Sequence, residues 1–262
     1  MYNFEFAKPK TVAEAANAMA VEGAQALGGG QTLLPTMKQR LASPEVLVSM
    51  TGVAEMVGVR ADGDTVTVGG ATTHAEVAAA TAGLFPGLAG LAGNIGDPAV
   101  RNRGTIGGSL ANNDPAACYP AGALGSGATI TTNKRDIAAD DYFQGMFETA
   151  LDEGEIITSV SFPVPEKANY QKFEQPASRF ALVGVFVAKT ADGVRVAVTG
   201  ASNNGVYRWS EAETALNGDF SEGAIAGMSG NADDMITDLH GTGAYRAHLV
   251  GVLTRRAIAA CG

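Results

Sequence analysis

Residues 24–41, AQALGGGQTLLPTMKQRL, decide how the rest of the chain is read. The apolar piece Ala24 to Leu27 runs straight into Gly28-Gly29-Gly30-Gln31-Thr32. Residues 33–41 then have the apolar spacing of a helical turn or two, so the glycines sit between a strand and a helix. Glycine accepts positive φ and lets main-chain N–H groups approach a ligand with no Cβ in the way. A second cluster, Gly104-Thr105-Ile106-Gly107-Gly108, precedes Ser109. Thr32, Thr105 and Ser109 add hydroxyl donors, and the helical stretch after the first cluster can point its N-terminus at the same anion, so the two clusters together suit a pyrophosphate. A single glycine triplet is more often only a tight turn. Arg101 and Arg103 add positive charge beside the second cluster; the alternative for them is a solvated loop pair.

Working outward, Thr11-x-x-Glu14 is a capping box ahead of Val12, Ala15, Ala16 and Met19, and EVLVSM (45–50) reads as a strand. MVGVR and TVTVGG, joined by Ala61-Asp62-Gly63-Asp64, predict a hairpin, and Thr73-x-x-Glu76 opens a helix over Ala75–Ala80. The stretch 93–120 is so rich in Gly, Asn and Pro that a long loop without regular structure is expected. IITSVSFPVP (156–165) reads as a strand, and Pro163 with Pro165 marks the expected boundary between a region 1–165, divided near 54/55, and a region 166–262. In the latter, YQKFEQ, ALVGVFVAK and VRVAVTGA predict three strands, the last two joined at Asp192-Gly193. Helical patterns continue through 208–229 and 241–260.

Composition removes whole classes of function. Of 262 residues, 46% are hydrophobic and 17% charged, an ordinary folded balance, and a net charge of −9 repels nucleic-acid backbones. No run approaches the roughly 18 apolar residues of a membrane span, and MYNFEFAKPK carries no secretory signal, so a cytoplasmic setting is expected. Glycine, 34 residues, is about twice its usual share. Cys118 and Cys261 form no CxxC pair, and His74, His240 and His248 are scattered, so no metal centre is expected. His74 reads as a first-turn surface residue, and His240 and His248 as neighbours of the last helix. GxGxxG, GxxxxGK and GxSxG motifs are absent, which disfavours a Rossmann dinucleotide site, nucleotide hydrolysis and a serine nucleophile.

The order Gly28-Gly29-Gly30-Gln31-Thr32-Leu33-Leu34-Pro35, then Val100-Arg101-Asn102-Arg103-Gly104-Thr105-Ile106-Gly107-Gly108-Ser109, resembles the paired FAD loops of molybdenum-hydroxylase flavoproteins. These are the medium subunits of the aerobic carbon monoxide dehydrogenase and xanthine dehydrogenase group. YFQGMF, EGEIITSVSFPVP and YRAHLVGVLTRRAI (245–258) extend the resemblance over nearly the whole chain. It implies an α+β protein: an FAD-binding fold of the vanillyl-alcohol oxidase type with two α/β subdomains, then a small three-stranded antiparallel sheet with helices. It further implies that Gly28, Gly29, Gly30, Gln31 and Thr32 hold the FAD diphosphate together with Thr105, Ile106, Gly107, Gly108 and Ser109, with Ile106 also near the isoalloxazine. The stretch from Tyr170-x-Lys172 to Arg179-Phe180 would cover the flavin, with Phe180 stacking on it. Relatives carry Asp or Glu a few residues after the Asp-Pro of the second loop, where this chain has Cys118. A thiol is a poor acceptor, so the ribose is expected to rest on Asn112, Asn113 or Asp114.

The activity implied is that of an oxidoreductase subunit without catalytic or metal-ligating residues of its own. Electrons would pass from a small [2Fe–2S] subunit through FAD to an external acceptor, while a large molybdopterin subunit oxidises the substrate in a dimer of heterotrimers. The alternatives are a stand-alone flavin oxidoreductase and a non-catalytic assembly subunit. Bulky replacement of Gly29 or Gly107 is expected to abolish FAD retention and leave a folded chain.

Overall fold

The structure, a computed structural model, describes residues 1–261. β1 (Glu5–Ala7) leads into α1 (Val12–Met19), which starts where Thr11 Oγ1 accepts from Glu14 N at 3.1 Å. β2 (Ala24–Leu27), α2 (Leu33–Lys38) and β3 (Val46–Ser49) come next, and β3 pairs parallel with both β1 and β2. Parallel pairing requires a crossover, which α1 and α2 supply. Central β3 buries Leu47 and Val48 completely, or nearly so.

β4 (Val59–Asp62) and β5 (Thr65–Gly69) form the expected hairpin, with Gly63 at φ +53° in its turn. α3 (His74–Thr81) opens on Thr73 and Glu76 with both halves of the capping box made, and α4 (Pro86–Gly93) packs beside it. The stretch expected to be a long irregular loop is instead α5 (Pro98–Arg101), α6 (Ile106–Asn112) and the start of α7 (Tyr119–Ser126). Residues counted as breakers serve here as caps. Asp97 accepts from Val100 N at 2.9 Å ahead of Pro98, Thr105 accepts from Gly108 N at 3.2 Å, and Asn113 closes α6 at φ +41°. β6 (Thr129–Thr132), β7 (Asp136–Ala138), α8 (Ala139–Tyr142), the hairpin β8 (Phe143–Gly145) and β9 (Glu148–Thr149), and β10 (Ile157–Pro163) complete this part. Its antiparallel sheet has the order β4-β5-β10-β6-β7.

β11 (Lys167–Glu174), β12 (Ala181–Thr190) and β13 (Gly193–Thr199) are the three strands read from sequence. The sheet nevertheless has four, because β14 (Tyr207–Arg208) pairs with Ala197 and Val198; two residues are too few to leave a period in the sequence. The pattern through 208–229 forms only α9 (Ser210–Gly218) and one 3₁₀ turn at Gly223–Ile225, whereas α10 (Gly243–Ala260) runs nearly as expected. β12 is buried on both faces. Val183, Val185 and Val187 join Leu249, Val250 and Leu253 of α10 in one core, while Phe186 and Ala188 join Tyr119 and Leu124 of α7 in another. Arg195 of β13 also reaches Asp140 of α8, at 2.8 and 2.7 Å. These layers bring the end of β2, the end of β5 and the start of α6 to one place.

Candidate functional site

The two glycine clusters are in direct contact. A Cβ on Gly29 would fall inside the carbonyl of Arg103, and one on Gly28 would lie 2.6 Å from Thr105 Oγ1. Side chains at these positions would hold the loops apart. Gly30 has φ +72°, so it needs glycine for its backbone as well. The loops border a cavity of about 860 Å³, within the range of small-molecule and cofactor sites. Gly28, Gly29, Gly30, Gln31, Thr32, Thr105, Gly107, Gly108, Ser109, Asp114 and Phe180 all line it.

The hydrogen bonds of the two clusters differ. Among the described residues, the amides of Gly28, Gly29, Gly30, Gln31, Thr32 and Leu33 have no acceptor, while the Leu34 and Thr36 amides turn back, to Gly30 O and Thr32 O, each at 3.2 Å. Thr32 makes no side-chain capping bond. A row of unpaired amides beside a cavity has the donors that an anion requires. In the second cluster Ile106 N donates to Thr72 O at 3.2 Å, Gly107 N to Gly70 O at 2.9 Å and Ser109 N to Thr105 O at 3.0 Å. Gly108 N is taken by Thr105 Oγ1. Gly107 must be glycine because a Cβ there would sit 2.6 Å from Gly70 O. The second cluster therefore contributes a close backbone approach, with its 106–109 amides already spent.

Several sequence expectations change. The Ile106 side chain is wholly buried in the core with Leu110 and Tyr119, away from the cavity. Lys172 does not line the cavity either: its ammonium donates to Asn94 O at 2.5 Å and to Arg179 O at 2.9 Å, tying the segment that carries Phe180 to the end of α4. Arg101 braces its own loop through Ile95 O and Gly96 O, at 3.1 and 2.9 Å. Asn113 spends its amide on Gly145 O and Glu148 O, which leaves Asn112 and Asp114 at the cavity wall. Asp114 Oδ1 accepts from Ala116 N at 2.8 Å. Cys118 borders the cavity as a buried thiol whose pKa burial pushes up, the nearby Lys172 charge opposing.

His74 is the largest departure, being buried where a surface residue was expected. It lines the cavity, its backbone amide donates to Gly104 O at 3.0 Å, and its ring abuts Gly104 so closely that no Cβ fits there. Burial, with the Arg101 charge adding to it, brings its pKa down to about 4, so the ring is neutral near pH 7. Its Nδ1 and the hydroxyls of Tyr119 and Tyr170 are enclosed without partners among the described residues. Glu155, also at the wall, was missed in the sequence. Burial pushes its carboxyl up, but hydrogen bonds from Arg135, Thr132 and the Asp152 amide outweigh this and hold it at about 2. Phe180 meets His240 edge-on, ring centres 5.3 Å apart.

The family model described as "FAD binding domain in molybdopterin dehydrogenase" matches residues 2–165. The nicotine 6-hydroxylase medium subunit of Paenarthrobacter nicotinovorans is 35% identical over 98% of this chain and 96% of that one. The carbon monoxide dehydrogenase medium chain of Afipia carboxidovorans is 32% identical over 98% and 96%. Among solved structures, the Cu,Mo-CO dehydrogenase in its cyanide-inactivated form superposes with a TM-score of 0.88 at 30% identity, covering 99% of this chain and 98% of its own. Quinoline 2-oxidoreductase from Pseudomonas putida 86 gives 0.88 at 26% identity, covering 99% and 97%. No helix among the described residues is long and apolar enough to cross a membrane.

Proposed function

The chain belongs to the family of FAD-binding domains of molybdopterin dehydrogenases, whose members are subunits of oxidoreductases, and from that premise we propose that it holds FAD in the cavity between its glycine clusters and relays electrons within a molybdenum hydroxylase. The observation that carries this is the run of amides from Gly28 to Leu33 without a protein acceptor, in residues that line the cavity where the two glycine loops touch. Such a row fits a diphosphate through neutral donors, which an acidic protein of net charge −9 can still offer. Ser109 and Thr32 add hydroxyls, Asp114 and Asn112 take the ribose in place of the carboxylate that Cys118 replaces, and Phe180 covers the ring system. Residues 1–165 form the FAD-binding part and 166–262 a C-terminal part that closes over it.

Bound FAD supplies exchange of one or two electrons at a time. This chain's residues fix the cofactor, exclude water through the apolar wall at Ile156 and Ile157, and present a neutral imidazole at His74. Electrons would arrive from a small [2Fe–2S] subunit, with substrate oxidation in a large molybdopterin subunit and the whole a dimer of heterotrimers. A cytoplasmic, reducing setting suits two free buried thiols, Cys118 and Cys261. Purifying the native complex and measuring flavin, iron and molybdenum per chain tests the reading. All three should co-purify with about one flavin per chain. Flavin without iron and molybdenum would favour a stand-alone flavin enzyme, and iron and molybdenum without flavin an assembly subunit.

A further inference from the structure

The hairpin of β8 and β9 carries a residue that neither the diphosphate cradle nor the ribose contacts employ. Phe147 at its tip is 60% exposed and borders the cavity. Its φ is +60°, in the left-handed region that bulky residues rarely occupy. That backbone is held in place: Phe147 N donates to Asn113 O at 3.0 Å, and the buried Asn113 amide donates to Gly145 O and Glu148 O, each at 2.8 Å. Asn113 is itself left-handed, at φ +41°. Two such residues that are not glycine are costly to keep and persist where the surroundings over-determine them. The hairpin is thereby clamped to the end of α6, the helix that begins at the second glycine cluster. A turn that only had to reverse the chain would take glycine at 147. The clamp instead fixes an apolar ring at the cavity rim, half in solvent.

We propose that Phe147 is an aromatic platform for a planar heterocycle of the bound dinucleotide, held ready by Asn113. The inference rests on the reading of the cavity as the FAD site. Both heterocycles of such a ligand present the π-face that an aromatic side chain accepts, and the residue borders the cavity, which favours a ligand ring over a protein surface as its partner.

The test uses the native complex stripped of flavin and retitrated with FAD, FMN and ADP. In Phe147→Ala the dissociation constant for FAD should rise about tenfold, and Phe147→Tyr should restore it to within about twofold, with the melting temperature unmoved in both. Weakened ADP competition would place the adenine on the ring, and weakened FMN binding the flavin; either supports the platform. Phe147→Gly keeps the backbone conformation and should bind as poorly as the alanine variant, so wild-type affinity in the glycine variant would assign the effect to the turn and overturn the proposal. Unchanged affinity for all three ligands in Phe147→Ala would overturn it too, as would a loss confined to subunit assembly. Failure of the wild-type complex to take up FAD would instead sink the cofactor reading, and the platform with it.

Discussion

Residues 28–33 and 104–109 carry similar letters and use glycine for opposite reasons. In the first stretch the amides are free, the partner loop blocks the Cβ positions of Gly28 and Gly29, and the Leu34 side chain, together with a positive φ at Gly30, blocks that of Gly30; in the second, the Ile106 to Ser109 amides are consumed and Gly107 is needed because the backbone of Gly70 lies against it. One loop presents donors, and the other is a wedge that sets the first at the right height. Glycine in a binding motif thus has two separable meanings, donor presentation and close packing, and hydrogen-bond accounting tells them apart.

Replacing one glycine from each loop should break the comparison most severely. Gly29→Val collides with Arg103 O at a loop junction that can part, so the chain should fold and the complex should lose flavin by more than about a hundredfold, the order expected when a whole diphosphate cradle is displaced. Gly107→Val collides with a buried backbone, and overpacking there should cost about 1–3 kcal/mol, lowering the melting temperature by roughly 2–12 °C even in flavin-free protein. Both variants should therefore stay folded and lose flavin, as the sequence leads one to expect, and only Gly107→Val should also melt early. Equal melting temperatures in the two variants, read by calorimetry, would show that the wedge and the cradle are the same device.

Acid should discriminate next, because only the second loop leans on a titrating group. His74 holds Gly104 and titrates at about 4 in the fold against an ordinary 6.5. Between those values the unfolded chain binds the extra proton, so this contribution to stability is complete above about 6.5 and is lost as pH falls through 4. The loss amounts to about 3 kcal/mol at the acid end. His74→Leu should flatten that part of the stability profile. A variant whose melting temperature falls with pH as steeply as the wild type would sever His74 from the second loop. Glu155 acts with the same sign further down: held at about 2, its contribution is present above about 4.5 and lost below it, so the His74 window is read above pH 4.5.

Much of this was legible before any coordinates. The strand at 24–27, the hairpin turning at Asp62-Gly63, the capping box at Thr73 and the long last helix arise from period and caps, and both glycine clusters are visible in the letters. What stayed hidden depends on long-range contact. His74 is buried because Tyr119 and Gly104, far along the chain, pack on its ring, the Tyr119 centroid 5.3 Å away. Phe147 and Asn113 meet where the hairpin docks on the end of α6, with no periodic signal. The helices at 98–112 were hidden for a different reason: Asp97, Pro98, Thr105 and Asn113 weigh against a helix when counted by composition, and for it when read as caps.

Thr105 joins the two loops, so its replacement gives an intermediate effect that sharpens the comparison. Its Oγ1 caps α6 through Gly108 N and packs under Gly28. Thr105→Ala should cost about 1 kcal/mol of stability, lowering the melting temperature by roughly 2–4 °C, and Thr105→Ser should recover most of it. Flavin affinity should fall with the alanine and return with the serine, because the hydroxyl sets the height of the wedge. Recovery of stability without recovery of flavin would mean that the loops are aligned by something other than this hydroxyl.

The smallest effect expected is at the arginines, where sequence reading placed positive charge on the anion. Arg101 is occupied with Ile95 O and Gly96 O, and neither it nor Arg103 borders the cavity; Arg103 meets the first loop through its carbonyl instead. If neutral amides carry the diphosphate, Arg103→Gln should leave the flavin dissociation constant within about twofold, and Arg101→Gln should shift it by no more than about threefold through the loop it braces. The salt dependence of flavin binding decides between the two sources of affinity, since a cradle of backbone dipoles is less sensitive to ionic strength than exposed guanidinium groups are. A tenfold loss in Arg103→Gln that deepens at low salt would return the charge to the site and demote the free amides of Gly28 to Leu33 to an accident of the turn.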